Sequence, residues 1–106
     1  MVKNTKKIQK NKKEVYKRNA EIYKLLANPI RLEILDILKK REVSLDELSE
    51  VIGIRKPNTS QHLAILRYLK IVKVRKEGQK AFYRLTDKRI TEPTKVLQKL
   101  WGKESF

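Results

Sequence analysis

Between Arg55 and Leu69 the chain reads Arg-Lys-Pro-Asn-Thr-Ser-Gln-His-Leu-Ala-Ile-Leu-Arg-Tyr-Leu. On a helix turning 100° per residue, Thr59, Leu63, Leu66 and Leu69 fall on one side, at the spacing of a buried stripe. Pro57, Ser60, Gln61, Ala64 and Tyr68 fall opposite, with no acid among them, and Arg55, Lys56, Arg67 and Lys70 sit at the two ends. Short hydrogen-bonding side chains flanked by cations suit a helix that enters a DNA major groove. Ser and Gln reach base edges, while Lys and Arg hold phosphates. The same pattern also describes an ordinary amphipathic helix with a solvated face, so the neighbouring elements must decide.

Other chemistry is poorly represented. There is no cysteine and only one histidine, His62, which excludes disulfides, thiolate metal sites and an imidazole-rich metal site within one chain. No nucleophile–base pair or carboxylate dyad stands at recognisable spacing, so an enzyme finds no support. The 106 residues carry 27 Lys and Arg against 12 Asp and Glu, a formal net charge of +15. Such a surplus points to polyanionic partners, chiefly nucleic acid, without choosing among DNA, RNA and anionic lipid. No apolar run approaches the ~20 residues of a membrane span, and the basic N-terminus lacks the apolar core of a signal peptide. A cytoplasmic protein is expected.

The elements that must hold the 55–69 stretch follow in order. Residues 1–11 are polar and cationic and read as a mobile basic arm, either contacting phosphate or solubilising the terminus. A single domain then spans 12–106. A first helix is expected from about Lys12 to Ala27, with Val15, Ile22 and Leu26 at helical spacing and Tyr16 and Tyr23 widening the apolar side. Asn28-Pro29 breaks it and caps a second helix, dense in apolar residues from Ile30 to Leu38. Glu42-Val43 reads as a very short strand. Ser44-Leu45-Asp46-Glu47 is a capping box opening a third helix, which Gly53 ends in the left-handed region. Two short helices about a Gly-containing turn, the second with a polar face, make a helix-turn-helix.

After that unit, Ile71 to Lys76 and Ala81 to Leu85 alternate as strands about a turn at Gly78. A hairpin directly behind a reading helix is the wing of a winged helix, and Arg75, Lys76, Lys80 and Arg84 lie along it. A last helix is expected from about Thr91, as N-cap, to Lys103, with Val96, Leu97, Leu100 and Trp101 on one stripe. That stripe folds back or, with Val15, Tyr16, Ile22 and Tyr23 of the first helix, forms a dimer surface. The fold class is mainly α with a small β-hairpin: about five helices and a wing of two or three strands.

From Leu26 to Asp87 the chain resembles the ArsR-type winged-helix transcriptional regulators. The pieces that carry the resemblance are the run Leu26-Ala27-Asn28-Pro29-Ile30-Arg31-Leu32-Glu33-Ile34-Leu35, then Leu45-Asp46-Glu47-Leu48-Ser49, then Pro57 to Leu66, then Val74 to Asp87. The resemblance implies a homodimer, paired through the first and last helices, that represses from a pseudo-palindromic operator. It places Lys56, Pro57, Ser60 and Gln61 against DNA and spans the wing with Arg75 to Arg84; Arg55, Asn58, His62 and Arg67 complete the expected DNA-contacting set. The chain departs from metal-sensing relatives by carrying Ser44, Asp46 and Ser49 at the start of the third helix, and Lys95, Gln98 and Lys99 on the last. Hydroxyls, a lone carboxylate and cations do not assemble a soft-metal or zinc site, so no metal or other cofactor is expected and the effector is unknown. The family tends to have Ser where this chain has Arg55. His62 lies at the edge of the buried side, open to a structural, phosphate-contacting or pH-sensing role. The rival readings are a non-specific or architectural nucleic-acid binder and a winged-helix protein-interaction module.

Overall fold

The computed structural model describes residues 2–102, with side chains placed from residue 4 onward. Its elements are α1 (Val2–Leu26), α2 (Pro29–Leu38), β1 (Val43–Ser44), α3 (Leu45–Ile52), α4 (Lys56–Tyr68), β2 (Val72–Glu77), β3 (Lys80–Leu85), a 3-10 turn (Lys88–Thr91) and α5 (Glu92–Trp101). The three strands form one antiparallel sheet in the order β1-β3-β2. This is the winged helix-turn-helix expected from the sequence.

Local chemistry sets most boundaries. Asn28 accepts hydrogen bonds from the backbone N–H of Ile30 and Arg31 at 3.0 and 3.1 Å, satisfying two otherwise orphaned donors at the start of α2. Ser44 caps α3 by accepting from Glu47 N–H at 3.1 Å. The capping box is half made, because the Glu47 carboxylate pairs with Arg41 instead of reaching back to Ser44. Gly53 ends α3 at φ +81°. In the hairpin Glu77 pairs with Lys80, leaving a loop of Gly78 and Gln79. Only Gly78 has positive φ, +61°, which a II′ turn needs at its first central position.

Three expectations are corrected. Helix α1 begins at Val2 rather than near Lys12, so residues 2–11 are helix and not coil. The physical reason is composition: the segment has no Gly or Pro, Lys and Gln are good helix formers, and Ile8 extends the apolar spacing of Val15 and Ile22. Helix α5 ends at Trp101 within the described residues, and Lys103 lies outside them. Thr91 holds the N-cap position of α5 but makes no capping bond. A 3-10 turn runs into the helix there, and the Thr91 hydroxyl donates to Lys88 O at 2.8 Å.

Ile34, Leu38, Val43, Leu48, Leu63 and Leu66 are almost wholly removed from solvent at the centre of the core, with Leu26, Leu35, Ile71, Val72 and Tyr83 around them. Every one of α2, α3, α4 and the sheet contributes, so α4 is braced from behind by apolar contact on three sides. Among the described residues no helix is long and apolar enough to cross a membrane.

Candidate nucleic-acid interface

Helix α4 buries Thr59, Leu63 and Leu66 and leaves Pro57, Asn58, Ser60, Gln61 and Ala64 exposed, the division its sequence predicts. Two contacts fix its pose. Ser49 Oγ on α3 donates to Thr59 Oγ1 at 2.8 Å, and Thr59 Oγ1 in turn donates to Arg55 O at 3.3 Å. This buried hydroxyl relay sets the rotation of α4 against α3 and aims Ser60 and Gln61 outward. On the other edge, Arg31 of α2 donates from Nε to His62 Nδ1 at 3.2 Å and from Nη1 to Leu25 O at 2.6 Å. A ring that accepts at Nδ1 carries its proton on Nε2 and is neutral. Partial burial, then the Arg31 charge, holds the His62 pKa below its ordinary value.

The ends of α4 depart from common chemistry. Arg55 occupies the N-cap position without a side-chain capping bond, so its guanidinium is free to face solvent. At the other end Ile71 N–H bonds Leu66 O at 3.0 Å and Lys70 N–H bonds Arg67 O at 2.8 Å, the paired bonds of a Schellman motif. Lys70 therefore takes the left-handed conformation, φ +61°, where glycine is usual.

The cations expected to contact DNA divide into engaged and open ones. Lys56 pairs with Asp46 at 2.9 Å in an exposed ion pair that a phosphate can displace. Arg75 is held by Glu42 at 2.8 Å and Glu77 at 2.6 Å and lies 4.7 Å over the Phe82 ring. Its hydrogen bond pulls the Glu42 carboxyl below the usual range, so both stay charged. Arg75 thus ties the wing to Glu42 beside β1 through exposed ion pairs. Arg67, Lys76, Lys80 and Arg84 are exposed, the middle two flanking the hairpin tip.

Lys70, already noted at the end of α4, and Lys73, which the sequence does not single out, stand near two of these cations. Lys70 and Lys73 join Arg67 and Arg84 around one depression between the end of α4 and the wing. Lys73 stands directly across the sheet from Arg84, a like-charge pair that costs stability unless an anion lies between. Counting back from a two-residue loop at Gly78 and Gln79 leads to this pair, so the turn residues carry its sequence signal.

On the remote side, Val15, Tyr16, Tyr23, Val96, Leu97, Leu100 and Trp101 are exposed and Ile22 is half-buried, all expected at a dimer surface. Ile22, Tyr23, Leu26, Leu32, Leu35, Pro93 and Leu97 line an apolar groove between α1, α2 and α5. Among the described residues no three His, Cys, Asp or Glu side chains lie together as a metal site.

Residues 28–74 match the model of the bacterial regulatory protein, arsR family. The chain is 38% identical over 76 residues to the transcriptional activator HlyU of Vibrio cholerae, covering 72% of this chain and 70% of that protein. It is 38% identical over 72 residues to a biofilm growth-associated repressor of Xylella fastidiosa, covering 68% and 63%. Among solved structures, a homodimeric winged helix-turn-helix DNA-binding domain from Mycobacterium bovis superposes with TM-score 0.74 at 27% identity, covering 85% of this chain and 88% of that one. The chain spans 52–63% of the length of the first curated relatives it matches.

Proposed function

This chain belongs to the arsR family of bacterial regulatory proteins, and we propose on that premise that it is a homodimeric, sequence-specific DNA-binding regulator. It acts in the cytoplasm, most simply as a repressor at a pseudo-palindromic operator, without a metal cofactor. The observation that carries the reading is the pose of α4: Ser60 and Gln61 are exposed on a helix whose opposite face is locked by Thr59, Leu63 and Leu66. Ser60 and Gln61 read base edges, each good contact discriminating by ~1–3 kcal/mol. Arg55, Lys56, Pro57, Asn58 and the free edge of His62 meet the neighbouring backbone. Arg67, Lys70, Lys73 and Arg84 hold a phosphate run between α4 and the wing, and Lys76 and Lys80 extend it at the tip.

Pairing of two protomers through α1 and α5 covers the exposed apolar stripe, including Trp101, and sets two copies of α4 about 34–36 Å apart, one turn of duplex. If the dimer neutralises roughly 8 phosphates, log K falls with log salt at a slope of about −7. The relatives include an activator and a repressor, so the sign of regulation follows from where the operator lies.

One observation favours the non-specific rival: a +15 chain adheres to any phosphate polymer. Titrating the protein against its own promoter, a scrambled duplex and a hairpin RNA separates the two. A promoter preference of about 10³-fold is expected for specific binding. A ratio near one contradicts it.

A further inference from the structure

Helix α1 holds a stripe that the recognition helix and wing do not use. At 100° per residue, Lys6, Lys10, Lys13 and Lys17 lie within an arc of about 60°, at the i, i+4, i+7, i+11 spacing of one helix face. Ile8, Val15, Ile22 and Leu26 lie on the opposite side. That apolar seam runs into the core at Leu26 and into the expected dimer surface at Val15, so the lysine stripe points away from both.

Residues 4–21 are exposed throughout, and the molecule measures 58 × 38 × 21 Å. Its radius of gyration, 17.2 Å, exceeds the ~13 Å of a compact chain this long, as a protruding helix requires. Among the described residues none of the four lysines has an ion pair. Like charges three and four apart on one helix repel, and only Glu14 and Glu21 at the edge of the stripe offset them.

We propose that Lys6, Lys10, Lys13 and Lys17 form a second DNA contact, a rigid cationic rail along the phosphate backbone beside the bound operator. The inference rests on the DNA-binding reading above. From Lys6 to Lys17 the rail is about 16 Å long, over which one strand of duplex presents about five phosphates. Regular spacing on a stiff rod suits a stiff polyanion. An amphipathic helix lying on a membrane needs a broad apolar face opposite its cations, and here that side is a narrow seam shared with the protein's own packing.

The test compares the full chain with a K6Q/K10Q/K13Q/K17Q variant, which keeps good helix formers at exposed positions, and with the corresponding four-arginine variant. Each is titrated over a salt series against a site recovered by selection, once in a duplex of about 60 base pairs and once trimmed to the site. On the long duplex the slope of the unaltered chain should exceed that on the trimmed site by up to about 3–4 units per protomer, an excess that the glutamine variant loses and the arginine variant retains. On the trimmed duplex all three should agree. Equal slopes on the long duplex, with all proteins bound, overturn the rail and leave the operator reading intact. The rail is equally overturned if the substitutions abolish binding to phosphatidylserine-containing vesicles or hairpin RNA and leave duplex binding unchanged. Failure of the unaltered chain to bind duplex overturns both.

Discussion

Ser49 and Thr59, one on each helix of the helix-turn-helix, share a 2.8 Å hydrogen bond between buried hydroxyls. In an otherwise apolar interface this contact carries direction as well as energy, because only one rotation of α4 satisfies both side chains. Replacing Thr59 by Val keeps the shape and leaves the Ser49 hydroxyl without its partner, at a cost of ~1–3 kcal/mol. Ser49→Ala together with Thr59→Val should cost less than the sum of the two single changes, by ~1 kcal/mol in a double-mutant cycle of urea unfolding. Additive costs would mean the two hydroxyls are independent.

The Arg31–His62 contact makes a pH prediction. His62 has its pKa lowered below 6.5 in the folded chain by burial and by Arg31, so the unfolded chain binds its proton more readily. The stability this contributes is fully present above pH 6.5 and is lost as pH falls below 6.5 toward the folded pKa. Unfolding midpoints should drop between about pH 7.5 and about pH 5.5, and His62→Gln, which retains an acceptor for Arg31 but does not titrate there, should flatten that drop. An identical drop in both proteins would assign it elsewhere.

At Lys70 the backbone sits at φ +61°, a region costing an L-residue ~1–2 kcal/mol relative to glycine. Lys70→Gly should raise stability by about 1 kcal/mol, while removing one cation beside the wing should flatten the DNA salt slope by about 1. Thermal unfolding and a salt titration read the two effects separately, and a destabilised variant would refute the strain.

A similar exchange is expected where Lys73 faces Arg84. Arg84→Gln relieves like-charge repulsion and should stabilise the fold by a few tenths of a kcal/mol. It should also weaken binding about equally for every DNA sequence, because a phosphate contact carries no base information. Loss of affinity for one sequence alone would make Arg84 a base reader.

The sequence is most informative where structure is decided locally. Asn28 before Pro29, Ser44 three residues before Glu47, Gly53 and Gly78 each act within a few residues, and each sits where its chemistry predicts. The face of α4 is legible for the same reason, since periodicity on one helix needs no partner. The contacts that hold the face are not legible. Arg31 reaches His62 across 31 positions and Arg75 reaches Glu42 across 33, and nothing in either local window names the other end. The start of α1 is obscured because dense charge resembles coil, although lysine-rich segments without Gly or Pro are competent helices. Thr91 looks like a cap by type, and the 3-10 turn before it turns its hydroxyl backward.

Selection of bound duplexes from a random DNA pool, run in parallel with the unaltered chain and with Gln61→Ala, tests most directly whether an exposed α4 reads bases in pairs. The recovered sites should be inverted repeats with half-site centres about 10 base pairs apart, and the Gln61→Ala pool should relax at one symmetric position while keeping the spacing. Pools with no enriched motif, or a Gln61→Ala motif identical to the original at every position, would contradict the assignment.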